Sequence, residues 1–110
     1  MTGVDIGPEW SLTLYVSGAS PRSAEAIDTI RQICDRDLAG RVDLRIIDVG
    51  KQPALAVDAD ILAVPTLIKR LPPPFRKLVG DLSDAARVRS AIGIEPMQSS
   101  PASALLREGR

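Results

Sequence analysis

The fold of this chain is decided by residues 61–83, which read ILAVPTLIKRLPPPFRKLVGDLS. Two apolar runs in this stretch, Thr66 to Leu71 and Phe75 to Val79, predict two strands. Between them lie Pro72, Pro73 and Pro74, which have no amide hydrogen to donate to a sheet and therefore form a stiff connection. Because this connection is short, the two strands are expected to pair as an antiparallel hairpin.

The residues near the N-terminus predict a strand followed by a helix. Leu12, Leu14 and Val16 alternate with less apolar residues, which is the period of a strand with one buried face. Ser20 and Pro21 then mark a helix start, since a hydroxyl caps the first amides and proline suits the first helical position. The expected buried stripe of this helix is Ile27, Ile30, Cys34 and Leu38.

Three further elements complete the pattern. Val42 to Val49 predicts a second strand, and the alanine-rich segment from Gly50 to Leu62 predicts a helix. The expected buried side of this second helix is Leu55, Ala59 and Leu62. After the hairpin, Ser83 is the expected cap of a last helix. The expected buried stripe of that last helix is Ala85, Val88 and Ile92.

The predicted order is therefore β-α-β-α-β-β-α, an α/β fold of three layers. The first two crossovers imply parallel pairing of strands, and the proline connection implies an antiparallel hairpin. This combination is the thioredoxin-like layout. We expect a domain over residues 11–95, a flexible arm over residues 1–10, and a flexible tail over residues 96–110, where serine, proline and charge predominate.

Composition excludes several classes of function. The 110 residues include no histidine and one cysteine, and 14 basic side chains balance 14 acidic ones. Zero net charge gives no field that would attract nucleic acid, and no apolar run is long enough to span a membrane. One cysteine without histidine cannot form a structural zinc site or an intrachain disulfide, and no nucleotide-binding glycine pattern is present. We expect a cytoplasmic protein without a cofactor.

The place of a redox centre is occupied by other residues. Thioredoxin-like redox proteins carry two cysteines between the first strand and the first helix, where the helix N-terminus lowers the thiol pKa. This chain has Ser20-Pro21-Arg22-Ser23 there, and it has Val64-Pro65-Thr66 where those proteins carry a cis-proline. A helix cap explains Ser20, and a small buried hydrophobe explains Cys34. The alternative is a redox or glutathione-related enzyme that acts through Cys34 or Ser20.

Four basic side chains lie on the predicted hairpin with no acidic residue between Ile61 and Gly80. They are expected to cluster at one end of the hairpin, and they are Lys69, Arg70, Arg76 and Lys77. A charged edge protects a sheet against aggregation, whereas a basic patch steers an acidic partner, and the residues favour neither interpretation over the other.

The chain resembles the KaiB family of circadian-clock proteins. The resemblance runs without gaps from about Ser11 to Ile94. It lies in LTLYVSG with Ser20-Pro21, in IIDV at 46–49, in ILAVPTL at 61–67, in LPPP at 71–74 and in GDLS at 80–83. It implies a non-catalytic protein that binds a KaiC-type ATPase. A KaiA-like protein, a sensor histidine kinase and further copies of the chain, as a dimer or tetramer, are other partners that it implies. The expected partner-binding residues are Arg45, Lys69, Arg70, Arg76 and Lys77.

The resemblance also implies two interchangeable folds. A ground-state β-α-β-β-α-α-β fold is the alternative to the thioredoxin-like one, and only the thioredoxin-like form binds KaiC. Ala91 favours helix and Pro96 interrupts a closing strand, so the sequence predicts the thioredoxin-like form. The expected fold-determining residues are Pro65, Pro72, Pro73, Pro74, Ala91, Gly93 and Pro96.

Overall fold

The computed structural model describes residues 9–18 and 20–94. Its elements are β1 (Trp10–Val16), α1 (Pro21–Asp37), β2 (Val42–Asp48), α2 (Pro53–Asp58), β3 (Thr66–Leu71), β4 (Arg76–Val79) and α3 (Ala85–Ile92). This is the predicted order and the thioredoxin-like fold, with β3 where the alternative fold would have a helix. The expected tail and Pro96 lie outside the described residues, as does most of the expected arm. Trp10 belongs to β1 and not to that arm.

The four strands form one sheet in the order β2-β1-β3-β4. β1 pairs with β2 in parallel, and β3 pairs in antiparallel fashion with both β1 and β4. The hairpin is therefore confirmed, but the parallel pairing expected after the second crossover is wrong. Val16 at the end of β1 pairs with Asp48 at the end of β2, and the neighbouring Tyr15 pairs with Thr66, the first residue of β3. The chain therefore enters β3 from the end of the sheet at which β2 stops.

The strand β1, which lies between β2 and β3, is buried on both faces. Leu12, Leu14 and Val16 pack against α1 and α3 in the core. On the other face Thr13 and Tyr15 are buried as well, so the expectation of one buried face is wrong. The core is aliphatic throughout its buried part and consists of Leu12, Leu14, Val16, Ala26, Ile30, Ile33, Cys34, Leu38, Leu67, Leu82, Val88 and Ile92.

α1 begins as predicted. The Ser20 side chain accepts a hydrogen bond from the Ser23 amide, and Pro21 occupies the first turn. Three residues of the expected buried stripe, Ile30, Cys34 and Leu38, are buried, whereas Ile27 is only partly buried. The buried face of α1 also includes Ala26 and Ile33, so it is wider than the expected stripe.

The other two helices depart further from the prediction. No residue of α2 is buried, and Leu62, expected on its buried side, is 90% exposed. In α3 the cap is Asp84, whose carboxylate accepts from the amides of Ala86 and Arg87. Ser83 instead donates its hydroxyl to Asp81. The expected stripe of α3 is confirmed: Val88 and Ile92 are buried, and Ala85 packs against the core. None of the three helices in the described ranges is long and apolar enough to cross a membrane.

Candidate functional site

The loop between β1 and α1 is held by hydroxyl groups. The Ser20 Oγ accepts from the Ser23 amide at 3.2 Å, and the Ser23 Oγ accepts from the Ser17 amide at 3.0 Å. Beside β3, the Val64–Pro65 peptide bond is cis, and the Thr66 hydroxyl donates to the Ala63 carbonyl at 2.6 Å. Both serine hydroxyls therefore stabilise backbone amides at the position where thioredoxins carry thiols.

Cys34 lies far along α1, among the aliphatic side chains of the core. It is buried, as predicted, with 6% of its surface exposed. Burial, with a smaller contribution from the Asp35 carboxylate, raises the pKa of the thiol to about 11. The thiolate is the reactive form of cysteine, so this side chain is protonated and unreactive at neutral pH.

The five predicted partner-binding residues do not form one cluster. Arg45, Arg70, Arg76 and Lys77 are exposed. Lys69 is 3% exposed, so the prediction that it joins a surface patch at the end of the hairpin is wrong. Lys69 lies opposite Leu12 in the sheet, which turns its side chain towards the face that α1 and α3 cover. Lysine is almost always exposed in folded proteins, so the sequence alone predicts a surface position for this residue.

Two of the exposed charges share the face of the sheet opposite α1 and α3. Arg45 pairs with Thr13, Thr13 with Ile68, and Ile68 with Lys77, so these four residues form one row across the sheet. Arg45 and Lys77 stand at its two ends, about 14 Å apart. Arg45 also contacts the Asp43 carboxylate at 3.6 Å, and 72% of its side chain is exposed.

The other two exposed charges lie apart from that row. The β1–β3 register shifts between Ser11 and Leu12, and Arg70 falls in this irregularity, with its guanidinium 5.9 Å from the centre of the Phe75 ring. Arg76 pairs with Lys69, so it stands on the face opposite to that of Lys77. Arg45 and Lys77 are therefore the two predicted residues that can act together on one partner.

Apolar side chains of α2 and of the segment that follows it are exposed. Val57 of α2 is 77% exposed, Leu55 39% and Leu62 90%. The chain turns back on α2 directly after it, since the amide of Ile61 donates to the Ala56 carbonyl at 2.9 Å. We call Leu55, Val57, Leu62 and Lys77 the α2 surface.

Lys77 connects this segment to the sheet. Its Nζ donates to the Asp60 carbonyl at 3.0 Å, which places the end of α2 beside β4. Sequence reasoning missed the α2 surface because it assigned Leu55 and Leu62 to a buried stripe. The signal available in the sequence was the pair of aspartates at 58 and 60, which ends the apolar pattern after about one and a half helical turns.

Known proteins similar to this chain share both its sequence and its fold. The KaiB domain model matches residues 13–94. The circadian clock oscillator protein KaiB of Prochlorococcus marinus strain MIT 9312 is 51% identical over 77 residues, which cover 70% of this chain and 73% of that protein. The protein of the same name from Nostoc punctiforme is also 51% identical, over 70% of this chain and 74% of its own length.

Among solved structures, the N-terminal domain of Synechococcus elongatus SasA has a TM-score of 0.63 at 24% identity, covering 84% of this chain and 90% of that domain. Chloroplastic thioredoxin z has a TM-score of 0.67 at 21% identity, covering 76% of this chain and 75% of its own. At these identities the two structures establish the shared thioredoxin-like fold alone. The family match covers most of the chain and agrees with relatives about half identical to it, and so this chain belongs to the KaiB family.

Proposed function

We propose that this chain is a non-catalytic regulator that binds a KaiC-type ATPase and modulates its phosphorylation and ATPase cycle, in a circadian clock, a timer or a stress pathway. The observation that carries the proposal is the α2 surface on a chain of this family. Its relatives bear the name of a circadian clock oscillator protein, which supports the clock setting. A KaiA-like protein, a sensor histidine kinase and a second copy of the chain are further proposed partners.

The α2 surface has the composition of a binding site. Burying a large exposed aliphatic side chain against a partner contributes about 1.5–3 kcal/mol. Val57 and Leu62 are both more than three-quarters exposed, so their apolar surface is available to a partner. Lys77 at the edge of this surface and Arg45 across the sheet add positive charge. The partner we expect presents an apolar pocket with an acidic rim.

The chemistry of the loop before α1 supports a role without catalysis. The hydroxyls of Ser20 and Ser23 accept hydrogen bonds from backbone amides. A serine nucleophile instead needs a hydrogen bond to an adjacent base that takes its proton. Cys34 is buried with a raised thiol pKa. The alternative enzyme, a redox or glutathione-related protein acting through Cys34 or Ser20, would need one of these groups to be exposed and activated.

The first prediction tests the α2 surface. In the variant Val57→Glu/Leu62→Glu, two carboxylates replace exposed apolar side chains, so the fold is expected to remain. Affinity for a KaiC-type ring with ATP is expected to fall at least 50-fold, which is the order of magnitude for the loss of two interface anchors. Affinity is measured by biolayer interferometry, and folding by circular dichroism. The matched control is Ala24→Glu/Gln32→Glu, at two exposed positions of α1, which adds the same two charges. Equal affinity in the double variant and the wild type would refute the assignment, as would failure of the wild type to bind any such ring.

The second prediction concerns the charges at the two ends of the row. Arg45→Glu/Lys77→Glu is expected to slow association with the ring about tenfold or more at low salt and to weaken the salt dependence of the rate, because steering acts through long-range charge. Stopped-flow association rates measure this. The control is Arg31→Glu/Arg36→Glu on exposed positions of α1, which makes the same change in net charge. If the control slows association as much, net charge and not position is responsible.

The third prediction separates the regulator from the enzyme. We expect no disulfide reductase turnover with insulin or glutathione substrates, slow thiol labelling of native protein at neutral pH, and rapid labelling once the protein is unfolded. Turnover that disappears in Cys34→Ala would establish the enzyme instead.

The same side chain gives a pH dependence. The ordinary thiol pKa is 9.0 and that of folded Cys34 is about 11, so between these values the unfolded chain loses its proton while the folded one retains it. The free energy of unfolding is therefore expected to fall by roughly 2–3 kcal/mol as pH rises from 9 to 11. Subtracting the profile of Cys34→Ala isolates this contribution from those of other groups. A difference profile that is flat over this interval would show that the thiol is not buried in solution.

A further inference from the structure

Lys69 is a charged side chain placed inside the molecule. Its surface is 3% exposed, and its Nζ donates a hydrogen bond of 3.0 Å to the carbonyl of Ile92, the last residue of α3. The same Nζ lies 5.4 Å from the centre of the Trp10 ring on β1. One ammonium group therefore has two partners: the carbonyl at the end of α3 and the Trp10 ring on the neighbouring strand β1.

The strand register places it there. Lys69 pairs with Leu12, which has no exposed surface, and it follows Leu67 by two residues on the same strand. Since side chains alternate along a strand, Lys69 must point to the face that α1 and α3 cover. Its four-carbon stem packs as an apolar chain, and its length brings the ammonium to the end of α3.

The end of α3 offers an acceptor at this point. The last carbonyls of a helix have no partner within it, and together they carry a partial negative charge. Here Gly93, at a φ of 95°, turns the chain so that its amide bonds the carbonyls of Arg89 and Ser90. The amide of Ile94 bonds Arg89 as well. The Ile92 carbonyl is left for Lys69, and a Cβ at position 93 would lie 3.9 Å from the ammonium.

The charge is costly to bury and is offset locally. Burial lowers the pKa of Lys69, and Arg76, which pairs with it across β3 and β4, lowers it further. The Ile92 carbonyl and the negative face of the Trp10 ring compensate the ammonium. If the ammonium left this place, the Ile92 carbonyl would lose its hydrogen-bond donor.

We propose that Lys69 is the anchor that holds the C-terminal turn of α3 on the sheet, through the bond from its ammonium to the Ile92 carbonyl beside Trp10. A second tie joins α3 to α1, where the Arg89 Nε donates to the Asp37 carboxylate at 2.7 Å. The two ties differ in kind: the Arg89–Asp37 pair is partly exposed, whereas the Lys69 bond is shielded from water. Lys69 acts within the molecule and does not contact a partner.

The anchor is tested with Lys69→Met, which keeps an unbranched apolar stem and removes the donor. Amide hydrogen exchange of residues 88–94 is expected to accelerate at least tenfold, while that of β1 changes much less. The emission of Trp10, the single tryptophan of the chain, is expected to shift because its neighbouring cation is gone. The matched control Arg76→Met removes the exposed charge opposite Lys69 and is expected to leave α3 exchange within twofold of wild type.

Unchanged α3 exchange in Lys69→Met overturns the proposal, and so does an equal acceleration in Arg76→Met. Weaker ring binding by Lys69→Met with wild-type exchange in α3 would also overturn it, since Lys69 would then belong to the binding surface. A measurement on the wild type covers the case in which Lys69→Met does not fold. The ammonium protons of Lys69 are expected to exchange with water more slowly than those of Lys51 and to show contacts to the Trp10 ring by NMR. Exchange as fast as that of Lys51 overturns the anchor.

Discussion

The antiparallel pairing of β1 with β3 is the constraint on which the rest of the molecule depends. It puts β1 in the middle of the sheet, so that Leu14 faces the helices while Tyr15 is buried on the opposite side. The register of this pair also determines the face of the sheet to which Lys69 and Lys77 point. With Lys69 opposite Leu12, the lysine points to the face that α1 and α3 cover, and Lys77, one residue beyond the partner of Lys69 on β4, points to the other face.

The two faces of the sheet have different roles. On the side of α1 and α3, aliphatic packing and the Lys69 bond fix the C-terminal helix. On the other side lie α2, with no buried residue, and the row from Arg45 to Lys77. Serines occupy the positions at which thioredoxins carry reactive thiols, and their hydroxyls accept hydrogen bonds from backbone amides. The chain therefore has the thioredoxin-like shape without thiols at these positions. The proposed binding function therefore rests on the α2 surface and not on this loop.

Local signals in the sequence predicted most of the elements. The three prolines predicted the hairpin, Ser20-Pro21 predicted the start of α1, and the apolar spacing of α3 predicted its buried stripe. The errors concern properties that depend on distant residues. The direction of β3 depends on the end of the sheet at which the chain enters this strand, which helical spacing over Gly50 to Leu62 does not reveal. The burial of Lys69 depends on a register that no local pattern reveals. Leu55 and Leu62 are a different case, since they were expected to be buried although the aspartates at 58 and 60 signal an early end of the apolar pattern.

The central claim is that the partner binds at the α2 surface, on the side of the sheet opposite α1. It is tested most directly by amide hydrogen exchange of the full chain, free and in complex with a KaiC-type ring in the presence of ATP. The account predicts that binding slows exchange at residues 53–62 and along β4 and leaves the exposed side of α1 unchanged. Slower exchange confined to α1, with residues 53–62 as fast as in the free protein, would contradict it.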